Sequence, residues 1–257
     1  MNIEDEDLNE VISALNQIEN LLSYMEKSPY TFTLYAYHNF IVKVGALNND
    51  IQKLDSNYTS RVLLRVLIEH FTVSYYILFK HLLDKSDDVG ADYYGCYLMS
   101  EFLKRTMYEL GIEGMINAID KNAQFINLKK RLGDDFNDLQ QTDLEQIYQI
   151  GGQFDIKKIQ SFILKNKLPG AFFHTVNKTV IPDFLYLYNI LSSYIHGGPH
   201  ADKEFENNTI NVTQDKEYSK SLFYLTIVNF FILLTSIDTD FNYLGVYIKI
   251  PNYKNKS

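Results

Sequence analysis

A run of seventeen uncharged residues, 221–237, constrains the fold of this chain more than any other feature. The run, SLFYLTIVNFFILLTSI, falls short of a comfortable membrane span, contains Asn229 and has no flanking cluster of positive charges. We therefore expect a helix buried in protein instead of lipid. Because such a helix is apolar on nearly every side, it needs several neighbouring helices, which predicts a helical bundle with 221–237 near its middle.

The composition favours a mostly helical chain. Only five prolines and twelve glycines are spread over 257 residues, too few for the turns of a β-sandwich. Hydrophobic residues make up 46%, and 20 tyrosines and 17 phenylalanines provide large side chains for a core. Because the chain shows no internal repeat and no Pro/Ser-rich linker, we predict a single all-α domain over 1–257.

Hydrophobic periodicity divides this domain into a bundle core and an excursion. Apolar residues recur with a helical period over about 7–110 and 181–238, the predicted bundle core. Over about 111–180 glycines interrupt the pattern, so we expect a helical insertion there. Residues 243–251 alternate in polarity, which predicts a short strand or extended tail. The expected core helices cover about 7–25, 34–54, 59–83, 91–110, 182–196 and 221–237, with a polar loop over 198–215.

Charge and cysteine content limit the compartment and the partners. The net charge of −8 and the pI near 5.2 argue against a broad duplex-DNA surface, because nonspecific DNA binding depends on neutralised phosphates. A local RNA site is compatible with this charge. Cys96 is the single cysteine, which excludes an internal disulfide and a cysteine-based zinc site. The acidic start, MNIEDEDL, differs from a signal peptide, so we expect a cytoplasmic protein with no membrane partner.

The helix expected to end at His196 carries a polar stripe. Pro182 suits a first helical turn, and the Gly-Gly-Pro sequence at 197–199 cannot continue a helix. Tyr188, Ser192 and His196 follow an i, i+4, i+8 line beside the apolar face. His196 has two interpretations: a residue favoured by the helix dipole at a C-terminus, or an acid–base group beside glycines that let a substrate approach.

The helix expected over 59–83 is apolar nearly all round and yet contains charges. By helical angle, Arg61, Arg65 and Glu69 lie within about 80° of one another. One interpretation is an i, i+4 pair on a half-exposed edge, worth about 0.2–0.5 kcal/mol. The other is a buried cluster, because an unpaired buried charge is costly, and the polar stripe of the His196 helix could supply its partners.

Other motifs argue against a metal or cofactor. His196, His200 and Asp202 suggest metal ligands, but the Gly-Gly-Pro break removes the i, i+4 spacing that helical metal motifs need, so we expect no metal. The chain has no phosphate-cradling glycine loop, no dinucleotide-binding glycine motif and no Gly-x-Ser-x-Gly elbow. We therefore expect no cofactor.

Three segments resemble an uncharacterised bacterial protein family. RVLIE, 65–69, and YNILSSYIHGGP, 188–199, match its Arg-x-Leu-x-Glu and Tyr-x-x-Leu-Ser-x-x-x-His motifs, and IKKIQSFILKNKL, 156–168, resembles the amphipathic stretch before the second motif. That family is similar to the HEPN superfamily (higher eukaryotes and prokaryotes nucleotide-binding), helical bundles that include toxin and antiviral ribonucleases. The resemblance implies an all-α, HEPN-like helical bundle with a helical insertion and a short extended C-terminal tail.

The resemblance also implies a site. Metal-independent RNA cleavage would use His196 for proton transfer and Arg65 for the phosphorane charge, with Glu69 orienting one of them. Sites of this superfamily are often completed across a dimer, so a homodimer is expected. The usual arginine of the motif would stand at Leu191, so here the cation has to come from Arg65 or Arg61. Substrate contacts are assigned to Arg61, Tyr188, Ser192 and His200.

Two functions remain open. The first is a HEPN-like endoribonuclease or toxin in bacterial defence against phage, which acts on RNA through His196, Arg65 and Glu69. The second is a non-catalytic helical interaction or sensor module with a degenerate site, which binds a protein or a nucleotide. The leucine at position 191 and the acidic charge favour the second.

Overall fold

The computed structural model describes residues 3–117, 126–128, 130–131, 133, 138, 140–168, 173, 176–206 and 211–238. Every regular element in these residues is a helix, which confirms the all-α prediction. The helices are α1 (Asp5–Asn16), α2 (Leu21–Lys27), α3 (Thr31–Lys53), α4 (Asn57–Asp84), α5 (Asp88–Asp92), α6 (Met99–Asn117), α7 (Gln141–Gly151), α8 (Ile156–Lys165), α9 (Ile181–His196), α10 (Pro199–Glu206) and α11 (Val212–Ile237), with π-helical turns at Tyr93–Leu98 and Val176–Val180 and a 3₁₀ turn at Gly152–Phe154.

The chain forms two compact units. The first consists of Met1–Gly90 and Ile159–Ser257, and the second of Ala91–Lys158. The structure therefore places residues 91–110 in the second unit, whereas periodicity assigned them to the bundle core. The periodicity of an amphipathic helix shows that one face is buried but does not identify the helix that covers it. That the whole chain acts as one domain stays a prediction.

In the first unit, α3 and α11 run antiparallel at the centre of the core. The Tyr37 hydroxyl donates to the Thr226 carbonyl over 3.3 Å, and Gln52 Nε2 donates to the Lys216 carbonyl over 2.9 Å. Between these contacts Gly45 faces Phe223, whose ring would lie only 3.0 Å from an added Cβ. The two helices are therefore so close at Gly45 that any larger residue at this position would force the Phe223 ring to move.

The apolar helix α11 is buried as its sequence predicts. Its side chains at 222, 225, 227, 228, 230, 233 and 234 are each at most 1% exposed. By length and hydropathy alone, two described helices could cross a membrane, Tyr58–Asp84 and Val212–Ile237, and 67% of the apolar window of each is buried inside the protein. Core helices of globular proteins meet the same criterion, so the absence of a membrane partner stays a prediction.

Helix α9 lies antiparallel to α4. The Tyr58 hydroxyl near the start of α4 donates to the Tyr194 carbonyl near the end of α9. Near the start of α9, the Phe184 ring contacts the ring of Phe71, in the middle of α4, edge to face with centroids 6.1 Å apart. The polar stripe of α9 therefore meets the first half of α4, where the charged residues of that helix stand.

The second unit has its own small core. Leu103, Leu110, Leu128 and Leu144 form one buried apolar cluster, and the Tyr93 and Tyr97 rings stack with centroids 5.5 Å apart. The expected helix end before Gly111 is wrong, because α6 continues to Asn117. A single glycine inside a helix costs only about 1 kcal/mol relative to alanine, which packing can offset.

Two further boundaries differ from the sequence prediction. The expected continuous helix over 7–25 is divided into α1 and α2, because Asn20 adopts a left-handed φ of 57°. The expected polar loop over 198–215 contains α10, and α11 begins at Val212, where the Asn211 side chain accepts a hydrogen bond from the Gln214 N–H over 3.2 Å. The predicted extended tail at 243–251 lies outside the described residues.

Candidate functional site

Helix α9 has the ends that its sequence predicts. Pro182 stands in its first turn, and His196 is its last residue. Gly197 follows in the left-handed conformation, with φ of 63°, and Gly198 donates its N–H to the Ser193 carbonyl over 2.7 Å. A left-handed glycine satisfies the last helical carbonyls at no steric cost, so it fixes where the chain leaves the helix.

Four of the predicted site residues meet between α4 and α9, and we call them the Arg65 cluster: Arg65, Glu69, Tyr188 and Ser192. Arg65 donates from Nη1 to Glu69 Oε2 over 2.9 Å, from Nη2 to the Tyr188 hydroxyl over 2.8 Å and from Nε to Ser192 Oγ over 3.4 Å. Ser192 Oγ in turn donates to the Tyr188 carbonyl over 2.9 Å. The second sequence interpretation of these charges, a cluster partnered by the α9 stripe, matches this arrangement.

The guanidinium of Arg65 is enclosed by its partners. Its carbon lies 4.7 Å from the centroid of the Tyr188 ring, and the arginine side chain is only 17% exposed, against 35% for Glu69. Each of its three nitrogens already donates a hydrogen bond. Three of its five N–H groups therefore already have protein acceptors, which leaves at most two for an incoming phosphate unless a partner is displaced.

His196 is not part of the Arg65 cluster. Its side chain is exposed, and it forms no hydrogen bond with the described residues. Because α4 and α9 are antiparallel and Ser192 is level with Arg65, His196 lies one helical turn further on, toward the level of Arg61. The structure thus brings Arg65 and Glu69 together and leaves the third predicted catalytic residue apart. The side chain of His200 lies outside the described residues.

Arg61, a predicted substrate contact, faces the interior instead. It is 7% exposed, and its Nη1 lies 3.2 Å from Oδ1 of the fully buried Asp215 on α11. Ser60 Oγ donates to the other oxygen, Asp215 Oδ2, over 2.8 Å. Burial raises the pKa of the Asp215 carboxyl, while the Arg61 charge and the Ser60 hydrogen bond act in the opposite direction. This ion pair connects helices and does not offer Arg61 to solvent.

Sequence reasoning missed Asp215, because the expected polar loop included it. A signal was present in the spacing: residues 215, 219, 222, 226 and 229 follow the i, i+3, i+4 pattern of one helix face, and all five are buried. Extending the buried helix predicted over 221–237 by about two turns toward the N-terminus would have placed this carboxylate inside the bundle.

Two hydrogen bonds position the end of α9, one to the short helix α10 and one to α4. The Tyr194 hydroxyl donates to Glu204 on α10, and Tyr58 caps the Tyr194 carbonyl. The Tyr58 and Tyr194 rings lie with centroids 5.5 Å apart. Leu191 is completely buried, so the side chain at this position points into the core and not toward a ligand.

No protein-family model, curated protein or solved structure matches this chain. Among the residues that the structure describes, no group of three or more histidine, cysteine, aspartate or glutamate side chains is placed to hold a metal ion.

Proposed function

We propose that this protein is a non-catalytic helical interaction module with a degenerate HEPN-like site. The observation that carries this proposal is the enclosure of Arg65, whose three nitrogens donate to Glu69, Tyr188 and Ser192. Such a network favours a structural role, in which the cluster fixes α9 against α4.

The arrangement is poorly suited to phosphodiester cleavage. A general acid or base must reach the reacting proton, and the charge that stabilises the transition state must lie near the same phosphate. His196 is a helical turn away from the level of Arg65, and no described residue orients its ring. Leu191, buried in the core, supplies no second cation.

A metal-independent endoribonuclease or toxin is the second candidate, and the exposure of His196 favours it. The imidazole stands at the C-terminal end of α9, beside the glycines at 197 and 198, where a substrate could approach it. Because Arg65 of the same copy is held in the Arg65 cluster, a second copy of the chain would then have to supply the cation.

The two functions are separated by RNA cleavage and by growth after induced expression. We compare wild type, His196→Ala and the control Asn189→Ala, which removes another exposed polar side chain from α9. An interaction module cleaves no RNA and arrests no growth in any of the three. Cleavage by wild type and Asn189→Ala that falls about a hundredfold to ten-thousandfold in His196→Ala establishes the ribonuclease and overturns our proposal.

A further inference from the structure

The core of the first unit contains an amide that its neighbours leave unsatisfied. Asn229 lies in the apolar run of α11 and is completely buried, and neither its Oδ1 nor its Nδ2 has a hydrogen-bond partner in the described part of the chain. Buried polar atoms without a partner are rare in native proteins, because each one has given up its hydrogen bonds to water. The Asn229 amide therefore needs a partner beyond the side chains around it.

Two hydroxyl groups from other helices stand next to this amide. The Tyr37 hydroxyl on α3 donates to the Thr226 carbonyl over 3.3 Å, about one turn of α11 before Asn229. Burial raises the pKa of Tyr37, and the side chains of Ser74 and Asn229 act in the opposite direction, which places both of them beside the phenol oxygen. Polar groups of α3, α4 and α11 thus converge at one point of the core.

The protons of these hydroxyl groups are already used. A hydroxyl has only one proton to donate. Tyr37 gives its proton to the Thr226 carbonyl, and Ser74 Oγ donates to the Phe71 carbonyl over 2.8 Å. Neither hydroxyl therefore has a proton left for Oδ1 of Asn229.

Rotation of the amide does not remove the deficit. It would direct Nδ2 at the oxygen of Tyr37 or Ser74, since both oxygens still accept, but Oδ1 would again face groups that have no proton to give. Thr33, one turn from Tyr37 on α3, has no partner at its own Oγ1 and so does not donate to Asn229. The missing donor has to be a group that these side chains do not contain.

We propose that Asn229 holds an internal water molecule between α3, α4 and α11. Water has two protons and two lone pairs, so it donates to Asn229 Oδ1 and to the oxygen of Tyr37 or Ser74 while it accepts from Nδ2. A buried water makes about three hydrogen bonds, and the polar groups at this point provide that number. An ion is a poorer occupant, because no charged side chain acts on Tyr37 at this site.

The water completes the hydrogen bonding where three central helices meet. Tyr37 by itself links α3 to α11, and a water bound to Ser74 adds α4. All of these residues belong to the first unit, and none is part of the Arg65 cluster. The inference therefore stands or fails separately from the proposed function.

A crystal structure of the wild-type protein tests the site directly. Ordered solvent should lie within about 3.2 Å of Asn229 Oδ1 and of the oxygen of Tyr37 or Ser74. The buried Asn48, whose Oδ1 accepts from Ser219 Oγ over 2.9 Å, serves as the satisfied amide for comparison. An absence of solvent at Asn229 overturns the inference, whether the amide stays unpaired or pairs directly with protein.

The variant Asn229→Val tests whether the amide is what holds the water. Valine has a similar volume and no polar side-chain atom, so the solvent should be absent from the crystal structure of this variant. Solvent that persists there overturns the inference, because the amide would then not be its ligand.

Magnetisation transfer from water to the Asn229 side-chain amide tests the site in solution by nuclear magnetic resonance. Wild type should show direct cross-relaxation between water and this amide, whose signal is identified by its loss in Asn229→Val. Hydroxyl protons that exchange with water could relay the transfer, so Tyr37→Phe/Ser74→Ala, which lacks both hydroxyls, is the control. Transfer that survives in this double variant comes from the bound water. No transfer in wild type, or its loss in the double variant, overturns the inference.

Discussion

Arg61 and Arg65 stand one turn apart on α4, and their surroundings differ. The Arg61 side chain is 8% exposed and pairs with the fully buried Asp215, but its Nε has no hydrogen-bond partner in the described part of the chain. Arg65 is 17% exposed, and all three of its nitrogens donate. The more buried pair is thus the less satisfied one, which means that burial and hydrogen bonding have to be weighed separately for each arginine.

The difference matters because a buried ion pair bears a large desolvation cost. The attraction between its charges offsets that cost only when additional hydrogen bonds satisfy the remaining donors and acceptors. The Arg61–Asp215 pair meets this condition in part, through Ser60. The Arg65 cluster meets it more fully, with one hydrogen bond from each nitrogen, and keeps an edge open to solvent.

Arg61→Met should have the largest effect on stability. It leaves the Asp215 carboxyl buried without its cation, and we expect the free energy of unfolding to fall by about 3 kcal/mol. Urea unfolding measures this loss. The double variant Arg61→Met/Asp215→Leu should recover most of it, because apolar side chains can replace both partners of a buried pair. If Arg61→Met is as stable as wild type, the buried Asp215 carboxyl does not depend on the Arg61 cation, which contradicts this prediction.

Arg65→Met should cost less, about 1–2 kcal/mol, because the half-exposed partners of Arg65 can turn to water once the guanidinium is gone. Urea unfolding again provides the measurement, with Lys53→Met as a control at an exposed α3 position. A loss as large as that of Arg61→Met would show that the Arg65 cluster is as dependent on its cation as the buried pair is.

The ionisation of Asp215 should have the smallest effect on the free energy of unfolding. Burial raises its folded pKa above the ordinary 3.8, so the protonated carboxyl is more favoured in the folded state than in the unfolded one. The stability that this group contributes is fully present below about pH 3.8 and declines as the pH rises through the folded pKa. The decline is about 1.4 kcal/mol for each pH unit that separates the folded pKa from the unfolded one.

Comparison with Asp215→Asn isolates this contribution, because the amide keeps the shape and cannot ionise. Wild type should become less stable relative to the variant as the pH rises from about 4 toward neutrality. Unfolding free energies across this range measure the difference. A stability difference that stays constant with pH, or that changes in the opposite direction, would mean that Arg61 outweighs burial at this carboxyl.

Several elements could be predicted from the sequence because local rules determine them. Pro182 and the glycine at 197 fix both ends of α9, and the uncharged run at 221–237 requires a covered helix. The approach of Arg65 and Glu69 follows from their i, i+4 spacing. Their contact with Tyr188 and Ser192 was one of two interpretations, and the antiparallel packing of α4 on α9 decided between them.

Other features could not be derived from local patterns. Asp215 lies in a charged stretch, DKEYSK, and only the extension of α11 into that stretch buries it. Arg61 and Arg65 have the same residue type and nearly the same helical angle, yet one faces α11 and the other α9. Helical angle gives a direction around one axis, whereas the neighbour in that direction depends on how the helices pack.

The sequence by itself determined the helical class, the position of the central helices and the residue types that a site would use. Helix ends and apolar periodicity depend on backbone geometry over a few residues, so they can be inferred from the order of side chains. The tertiary structure alone decided that Arg65 is enclosed, that Arg61 is paired with Asp215 and that His196 stands apart. These outcomes depend on distances between helices far apart in the chain, and those distances are set by the packing of the whole core.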